Sequence, residues 1–310
     1  MKDKLVTLIG GGGFLGRYVA QELLAQGARV RIAQRRPKAA TFLKPLGNLG
    51  QTQFVAVDIR RPDTLARAVQ GSDSVVNLVG ILKGDFHSFQ AVGAGNAAAA
   101  AAQAGARAFV HISAIGADSG SPSAYGRSKG DGEVAVRAAF PAATILRPSV
   151  VFGREDQFVN RFAAMIAAAP LVPVVRGQAR FQPVYVGDVA RAVVAALAAP
   201  GRFGGQMFEL GGPDIVTMRG LIDWIAANTG QSPAVIALPD AVSAMIAAFG
   251  FLPGAPITRD QWKMLQRDNI VAQDQPGIAA FDIVPTPMEA IAAGWLVQYR
   301  RNGRFTAGLA

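Results

Sequence analysis

The feature that most constrains the fold of this chain is a glycine-rich loop close to its first residue. An apolar run at residues 5–9 is followed by four glycines, residues 10–13, then by residues 14–17 and an apolar-periodic stretch over residues 18–24. This order predicts a strand, a tight loop and a helix. Three of the glycines stand three residues apart, at Gly10, Gly13 and Gly16. That spacing between a strand and a helix is typical of dinucleotide-binding folds.

Each spaced glycine has a physical role if a dinucleotide binds there. We expect Gly10 to make the tight turn, Gly13 to admit a pyrophosphate close to backbone N–H groups, and Gly16 to allow the helix to pack on the strand. The helix N-terminus would direct its partial positive charge at the phosphates. A glycine turn without a ligand is the alternative. The predicted site also includes the first helical turn, with Phe14, Leu15 and Arg17.

The residues after the second predicted strand, 29–33, bear on the choice of cofactor. NAD-binding folds usually place an acidic residue about twenty residues after the glycines, where it binds the ribose 2′-hydroxyl. This chain has Gln34, Arg35 and Arg36 there, so two guanidinium groups are available to bind a 2′-phosphate. Arg17 is a third candidate for the same phosphate. We therefore predict NADP(H) over NAD(H); solvated loop charges are the alternative reading of the two arginines.

Further cofactor contacts are predicted where later strands end. They are Asp58 and Ile59, after a strand at 53–57; Val79 and Gly80, after 74–78; and Pro148, after 143–147. A glycine at such a position lets a cofactor pass close to the backbone. An aspartate at the position of Asp58 commonly lies beside the adenine, and a turn or cap role is its alternative.

The alternation of strands and helices predicts an α/β fold. Helices are expected at 62–70 and 90–104, a fifth strand at 108–113, and a late strand at 207–210. Units of this kind form a Rossmann-type, doubly wound parallel sheet with ligands at the carboxyl ends of its strands. We expect a dinucleotide-binding domain at residues 1–200, with substrate-side segments interleaved after 150. A small mixed α/β region is expected at 201–310.

A tyrosine and a lysine on one predicted helix suggest proton transfer. Tyr125 and Lys129 are four residues apart, so they share one helical face. The lysine ammonium would lower the pKa of the tyrosine towards neutrality and bind the nicotinamide ribose. Together with the glycine loop, the pair predicts a catalytic or cofactor-binding site.

Composition excludes several other classes of site. The chain has no cysteine and two histidines, so we predict no metal site, and His111 is expected to be a core residue. The net charge of +10 is scattered and not interleaved with aromatic residues, so nucleic acid is not an expected partner. We predict no transmembrane span and no signal peptide, with a cytoplasmic location.

Two details are predicted near the end of the chain. Residues 258–261 and 286–289 fit the capping-box pattern, so helices should start near Arg259 and Pro287. The apolar helix at 241–249 is expected to pack its apolar face into a core, with a partner or membrane surface as the alternative.

These motifs together resemble the extended and atypical short-chain dehydrogenase/reductase superfamily. The residues that carry this resemblance are Gly10, Gly13, Gly16, Asp58, Tyr125, Lys129, Arg147-Pro148 and Val186-Gly187-Asp188. More specifically, the chain resembles the NADPH-binding accessory subunit of respiratory complex I and its bacterial relatives. That resemblance rests on residues 140–141, 147–158, 182–186, 258–261, 268–269, 285–287 and 299–301.

The resemblance implies a tightly held NADPH with little or no turnover. It implies complex I subunits as partners, a quinone or small carbonyl compound as any substrate, and a peripheral position at the inner membrane. One departure bears on catalysis: active members carry a second hydroxyl where this chain has Ser113-Ala114. Loss of one such donor costs on the order of 2.7–4 kcal/mol of transition-state stabilisation. Ser113 taking over that role is the alternative.

Two other functions are kept open. The first is an active NADP-dependent reductase, epimerase or dehydratase in which Tyr125 donates the proton, Lys129 modulates it and Ser113 binds the substrate oxygen. The second is a regulator that senses the ratio of NADPH to NADP.

Overall fold

The computed structural model describes residues 1–250, 257–301 and 303. Within them the chain forms two compact units, each built from three separate segments. The first unit comprises Met1–Pro148, Val186–Leu210 and Ala272–Val284. The second comprises Ser149–Tyr185, Gly211–Val271 and Pro285–Ala310, less the undescribed residues. The expected first domain was 1–200, with substrate-side segments interleaved after 150. In these units 149–185 belong to the second unit, and 201–210 and 272–284 belong to the first.

The first unit contains a parallel sheet of seven strands, which confirms the predicted Rossmann-type fold. The strands are β1 Leu5–Ile9, β2 Arg29–Gln34, β3 Thr52–Ala56, β4 Ser74–Asn77, β5 Ala108–Ile112, β6 Thr144–Pro148 and β11 Met207–Leu210. Their spatial order is β11-β6-β5-β4-β1-β2-β3, so β1 lies where the strand order reverses. Ligands in such sheets bind at this reversal, beyond the carboxyl ends of the strands.

Helices flank this sheet. The helices of the first unit are α1 Phe14–Ala25, α2 Pro62–Val69, α3 Gly93–Gln103, α4 Ala124–Ala139, α6 Val186–Ala198 and α7 Pro200–Phe203, with 3₁₀ helices at Pro37–Leu46 and Ile278–Phe281. The predicted helix at 90–104 is preceded by a π-helical turn, His87–Val92. The small alanines of α3 pack closely against α2, α4 and the sheet, which explains how a low-complexity stretch forms part of a core.

In its described residues the second unit is a mixed α/β unit with three two-stranded sheets. The strands are β7 Val151–Phe152, β8 Leu171–Val175, β9 Arg180–Phe181, β10 Val184–Tyr185, β12 Val216–Thr217 and β13 Ala234–Leu238. The sheets pair β10 with β7, β12 with β9 and β13 with β8. The helices are α5 Val159–Ala168, α8 Met218–Thr229, α9 Asp240–Ala248, α10 Arg259–Met264 and α11 Met288–Leu296, followed by the 3₁₀ turn Val297–Tyr299.

The capping predictions in this unit had different outcomes. The first is confirmed, because Thr258 and Gln261 form a complete capping box at the start of α10. At the start of α11 the N-cap residue is Pro287, and no side-chain cap bond is made there.

The prediction that the apolar helix at 241–249 packs its apolar face into a core was wrong. Helix α9 buries the small residues Ser243 and Ala247, while Met245 and Phe249 are 64% and 56% exposed.

Candidate functional site

The glycine loop between β1 and α1 has the geometry of a phosphate-binding turn. Gly10 has a φ of +84°, a backbone conformation that favours glycine. A Cβ atom on Gly16 would lie 2.4 Å from the Gly11 carbonyl oxygen, so this glycine permits close approach of the loop to the helix. The first turn of α1 contains no acidic residue. Its N–H groups lack intrahelical acceptors and can therefore bind an anion.

A cleft of about 310 Å³ lies beside this loop, where β1, β2 and β4 end. Six of the predicted cofactor residues line it: Gly10, Gly13, Arg35, Ile59, Val79 and Gly80. The other predicted residues lie outside the cleft lining: Phe14, Leu15, Gly16, Arg17, Arg36, Asp58, Tyr125, Lys129 and Pro148. Eight lining residues were not predicted as contacts: Ile9, Gly12, Ala33, Gln34, Val57, Leu78, Ile81 and Phe89.

Gln34 connects the glycine loop to the segment that follows β2. Its side-chain oxygen accepts a hydrogen bond from the Gly12 N–H at 3.0 Å, and its amide nitrogen donates to the Arg36 carbonyl oxygen at 2.7 Å. A carboxylate could accept the first bond but could not donate the second. The position of Gln34 at the end of β2 was a usable signal, because an acidic residue in NAD-binding folds stands there.

Two arginines stack on Phe89 at the β2 and β3 side of the cleft. The guanidinium carbon of Arg35 lies 5.3 Å from the ring centroid, and that of Arg60 lies 4.5 Å away. Arg60 also binds the Asp58 carboxylate at 3.0 and 2.6 Å. These bonds to Arg60 are the main reason that the pKa of Asp58 is lowered to about 2. Phe89 lies in the π-helical turn, and the sequence carried no signal for it.

The other two predicted arginines lie near the same side. The guanidinium of Arg17 stacks at 4.8 Å on Phe42, in the 3₁₀ helix that follows β2. The side chain of Arg36 is exposed, and its carbonyl oxygen is held by Gln34. Of the three predicted arginines, Arg35 lines the cleft, while Arg17 and Arg36 lie outside its lining.

Lys129 lies at the other end of the predicted site and is buried. Its Nζ donates to the Ile112 carbonyl oxygen at 3.0 Å, and a Cβ atom on Gly80 would lie 3.6 Å from the same Nζ. Lys129 therefore faces the glycine that lines the cleft. Burial lowers the pKa of Lys129 to about 8, opposed by the charge of Glu133.

The prediction that the pKa of Tyr125 is lowered beside Lys129 was wrong. Tyr125 makes an edge-to-face contact with Phe86, with ring centroids 5.9 Å apart. Desolvation by the surrounding protein raises the pKa of Tyr125 to about 12, the opposite of the predicted direction. At neutral pH the phenol is therefore protonated.

Ser113, the third predicted catalytic residue, is bonded to a buried ion-pair network. Its hydroxyl donates to a Glu133 carboxylate oxygen at 2.5 Å. Arg147 binds the same carboxylate at 2.7 and 2.8 Å and lies 3.5 Å from Glu209. These contacts join β5, α4, β6 and β11 and direct the Ser113 hydroxyl into the network. The next residue, Ala114, carries no hydroxyl.

His111 is a core residue, as predicted. Its Nδ1 lies 3.1 Å from the Asn77 amide nitrogen, and its Nε2 has no hydrogen-bond partner among the described residues. An amide nitrogen only donates, so Nδ1 accepts and the proton is on Nε2. Burial lowers the pKa of His111 to about 3, so the ring is neutral.

The part of the chain that the structure describes has neither a metal-binding cluster nor a membrane-spanning helix. In residues 1–250, 257–301 and 303, no group of three His, Asp or Glu side chains is placed to hold a metal ion. None of the helices in these ranges has the length and hydropathy needed to cross a bilayer.

Known proteins with similar sequences include complex I subunits and a reductase. A 35% identical relative from Rattus norvegicus is the mitochondrial NADH dehydrogenase [ubiquinone] 1 alpha subcomplex subunit 9, matched over 92% of this chain and 78% of its own. The ceramide reductase of Caulobacter vibrioides is 31% identical, over 81% of this chain and 80% of that protein.

Solved structures share the fold at lower identity. The NADPH-dependent quinone oxidoreductase of Escherichia coli, complexed with NADPH, superimposes with a TM-score of 0.74 at 18% identity. The match covers 94% of this chain and 99% of that chain. The profile of the NAD dependent epimerase/dehydratase family matches residues 6–211, which contain the glycine loop and both ends of the site. This chain therefore belongs to the NAD dependent epimerase/dehydratase family.

Proposed function

We propose that this chain binds NADP(H) in preference to NAD(H) and holds it as an accessory protein with little turnover. The observation that carries the preference is the end of β2, where the neutral Gln34 side chain holds the glycine loop and Arg35 lines the cleft. A neutral amide does not repel a 2′-phosphate, and a guanidinium binds one through charge-assisted hydrogen bonds.

The residues present fit such a cofactor. The pyrophosphate would lie at the glycine loop and the N-terminus of α1, and Arg35, with Arg36 and Arg17 near it, would hold the 2′-phosphate. Lys129, beside Gly80, would bind the nicotinamide ribose. A bound nicotinamide supplies or accepts a hydride. The contributions of the chain itself are binding, orientation and the protonation state of Tyr125 and Lys129.

Low turnover is supported by the catalytic end of the site. Ser113 donates its hydroxyl to Glu133, and Ala114 offers no substitute donor for a substrate oxygen. Tyr125, with a pKa raised to about 12, is a weaker acid than the predicted neutral-range donor. Both features reduce the stabilisation of an oxyanion in a transition state.

Association with respiratory complex I, at the inner membrane and on the cytoplasmic side, completes this proposal. Its support is the 35% identical rat relative, which is a subunit of a ubiquinone-linked NADH dehydrogenase. Such a role would also give a bound, slowly reacting cofactor a structural or regulatory use.

The test has two steps. The small molecules released from the purified protein are identified by mass spectrometry, and the loss of hydride from the bound cofactor to quinones and simple carbonyl compounds is then followed. Co-purified NADPH that stays reduced is the expected result. Steady turnover with any of these acceptors would overturn the proposed accessory role. Co-purified NAD(H) would overturn the proposed preference for NADP(H).

The preference has its own mutational test. Arg35→Ala with Arg36→Ala should weaken NADPH binding by about 10- to 100-fold and leave NADH binding unchanged, since only NADPH carries the 2′-phosphate. Arg67→Ala, an exposed arginine on α2, is the matched control. Equal losses for both cofactors would show that the arginines do not read the 2′-phosphate.

A second candidate is an active NADP-dependent reductase, epimerase or dehydratase. The position of Lys129 against Gly80 and the similarity to the Caulobacter ceramide reductase favour it. In that case Tyr125→Phe should abolish turnover of the substrate found. Turnover that survives this substitution would remove the candidate.

A further inference from the structure

One surface segment of the first unit combines exposed apolar side chains with unbalanced positive charge. It comprises residues 35–50, which contain the 3₁₀ helix Pro37–Leu46, and is called the basic apolar segment below. Phe42 is 45% exposed, Leu46 is 43% exposed and Leu49 is 106% exposed. Single exposed apolar residues are ordinary on protein surfaces. Three exposed apolar side chains within eight residues, one of them stacked against Arg17, are more than the ordinary case, and their burial in a partner would be favourable.

The charge of the segment is positive and has few compensating anions. It contains Lys38 and Lys44, and also Arg35 and Arg36, which the proposed function assigns to the cofactor. It has no acidic residue, and none occurs between Glu22 and Asp58. The elements that pack against the 3₁₀ helix are α1, β2 and β3. Together they carry three arginines and the acid Glu22. The field around the exposed apolar side chains therefore attracts an anionic partner.

The shape of the patch favours a lipid surface over a protein. Leu49 is fully exposed, and the next residue, Gly50, has a φ of +80° with nothing within 4 Å of where its Cβ would lie. This turn protrudes, and a deformable bilayer interface accepts a protruding leucine without a matching cavity. Lysines beside such side chains stay at the level of the lipid phosphates.

We propose that the basic apolar segment binds an anionic lipid surface. Leu46 and Leu49 enter the interface, and Lys38 and Lys44 contact the lipid phosphates. The proposal extends the proposed peripheral localisation by naming the surface and the lipid charge. It does not depend on the cofactor, because none of these four residues lines the cleft.

Vesicle flotation with the full chain tests this. One set of vesicles contains phosphatidylcholine alone, and the other contains phosphatidylcholine with phosphatidylglycerol. The wild type should bind the anionic set and not the neutral set. Lys38→Gln with Lys44→Gln should weaken that binding by about 25-fold, about fivefold for each cation. Leu46→Ser with Leu49→Ser should abolish flotation at the salt concentration of the cell.

The control variant places one change of each kind elsewhere on the first unit. Val284→Ser with Lys83→Gln alters an apolar side chain that is 85% exposed and an exposed lysine outside the segment. This variant should float like the wild type. Equal flotation of all variants, or equal binding to neutral vesicles, would overturn the proposal. Binding to polyglutamate but not to anionic vesicles would also overturn it, in favour of an acidic protein partner.

Cofactor content and the urea midpoint of each variant separate the two proposals. The segment variants should keep the cofactor content and midpoint of the wild type while losing lipid. A wild-type protein that binds vesicles but holds no NADP(H) would contradict the proposed function and still support the proposed lipid-binding surface.

Discussion

The two ends of the candidate site are built by different means. At the glycine-loop end the groups that would meet a phosphate are backbone N–H groups, placed by the turn at Gly10 and the start of α1. At the other end the groups are side chains held by partners far away in sequence. Lys129 is held by the Ile112 carbonyl oxygen, and Ser113 is held by Glu133.

This difference explains why binding and catalysis can separate within one fold. A backbone turn is fixed by a few local residues, so the anion site persists when other side chains change. A catalytic end depends on where each hydroxyl and ammonium is directed. Here the Ser113 hydroxyl donates to Glu133, which is paired with Arg147; in the proposed function this removes a donor from the catalytic end.

The largest effect that would test this contrast is expected at the buried ion pair. Glu133→Gln removes the carboxylate that accepts bonds from Ser113 and Arg147. It leaves a largely buried guanidinium short of compensating charge, so the free energy of unfolding should fall by about 3–5 kcal/mol. Urea unfolding of wild type and Glu133→Gln measures this loss of free energy.

Asp63→Asn is the control, because Asp63 binds Arg61 and Arg67 on the surface. It should leave the urea midpoint unchanged. Equal effects of the two substitutions would mean that the catalytic end is not held by its buried network.

The next effect is a pH dependence at Lys129. Its pKa in the folded state, about 8, lies below the usual 10.5, so the folded chain binds fewer protons than the unfolded chain between these values. Stability should therefore rise with pH across this window, and the full cost of burying the charge is present below pH 8. Relative to Lys129→Met, the free energy of unfolding of the wild type should therefore rise by up to about 3 kcal/mol between pH 7 and pH 10.

Urea unfolding at pH 7 and pH 10 gives this difference directly. Lys83→Met, at an exposed lysine, serves as the comparison and should show no such shift. Parallel pH curves for wild type and Lys129→Met would contradict a buried, titrating ammonium.

The smallest effect concerns the glycine-loop end. Gly16→Ala puts a Cβ 2.4 Å from the Gly11 carbonyl oxygen, so the backbone must move, at a cost of about 1–3 kcal/mol in unfolding free energy. NADPH binding should weaken with it, because the loop and helix start are displaced. Gly294→Ala in α11, with nothing within 4 Å, should instead stabilise the helix by up to about 1 kcal/mol. Calorimetry and NADPH titration of both variants check these signs, and a Gly16→Ala protein as stable as the wild type would refute the close approach.

Local patterns predicted much of the first unit and parts of the second. Strands β1 and β11 begin and end at the predicted residues, and the capping box of α10 is complete. The strand β8, Leu171–Val175, was not predicted, because Pro173 interrupts its apolar run. The exposure of the apolar side of α9 was not predicted either, because a periodic pattern indicates that a helix has an apolar face but not what covers that face.

The sequence by itself determined the glycine turn, the parallel α/β order and the absence of an acidic residue at the end of β2. These depend on residue type and spacing along short stretches, where steric limits and hydrogen bonding act locally. The tertiary structure alone decided the directions of the side chains: Ser113 towards Glu133, Gln34 towards Gly12, and Arg35 and Arg60 towards the Phe89 ring. It also decided the pKa of Tyr125, because desolvation depends on how many atoms surround a group and not on its neighbours in the chain.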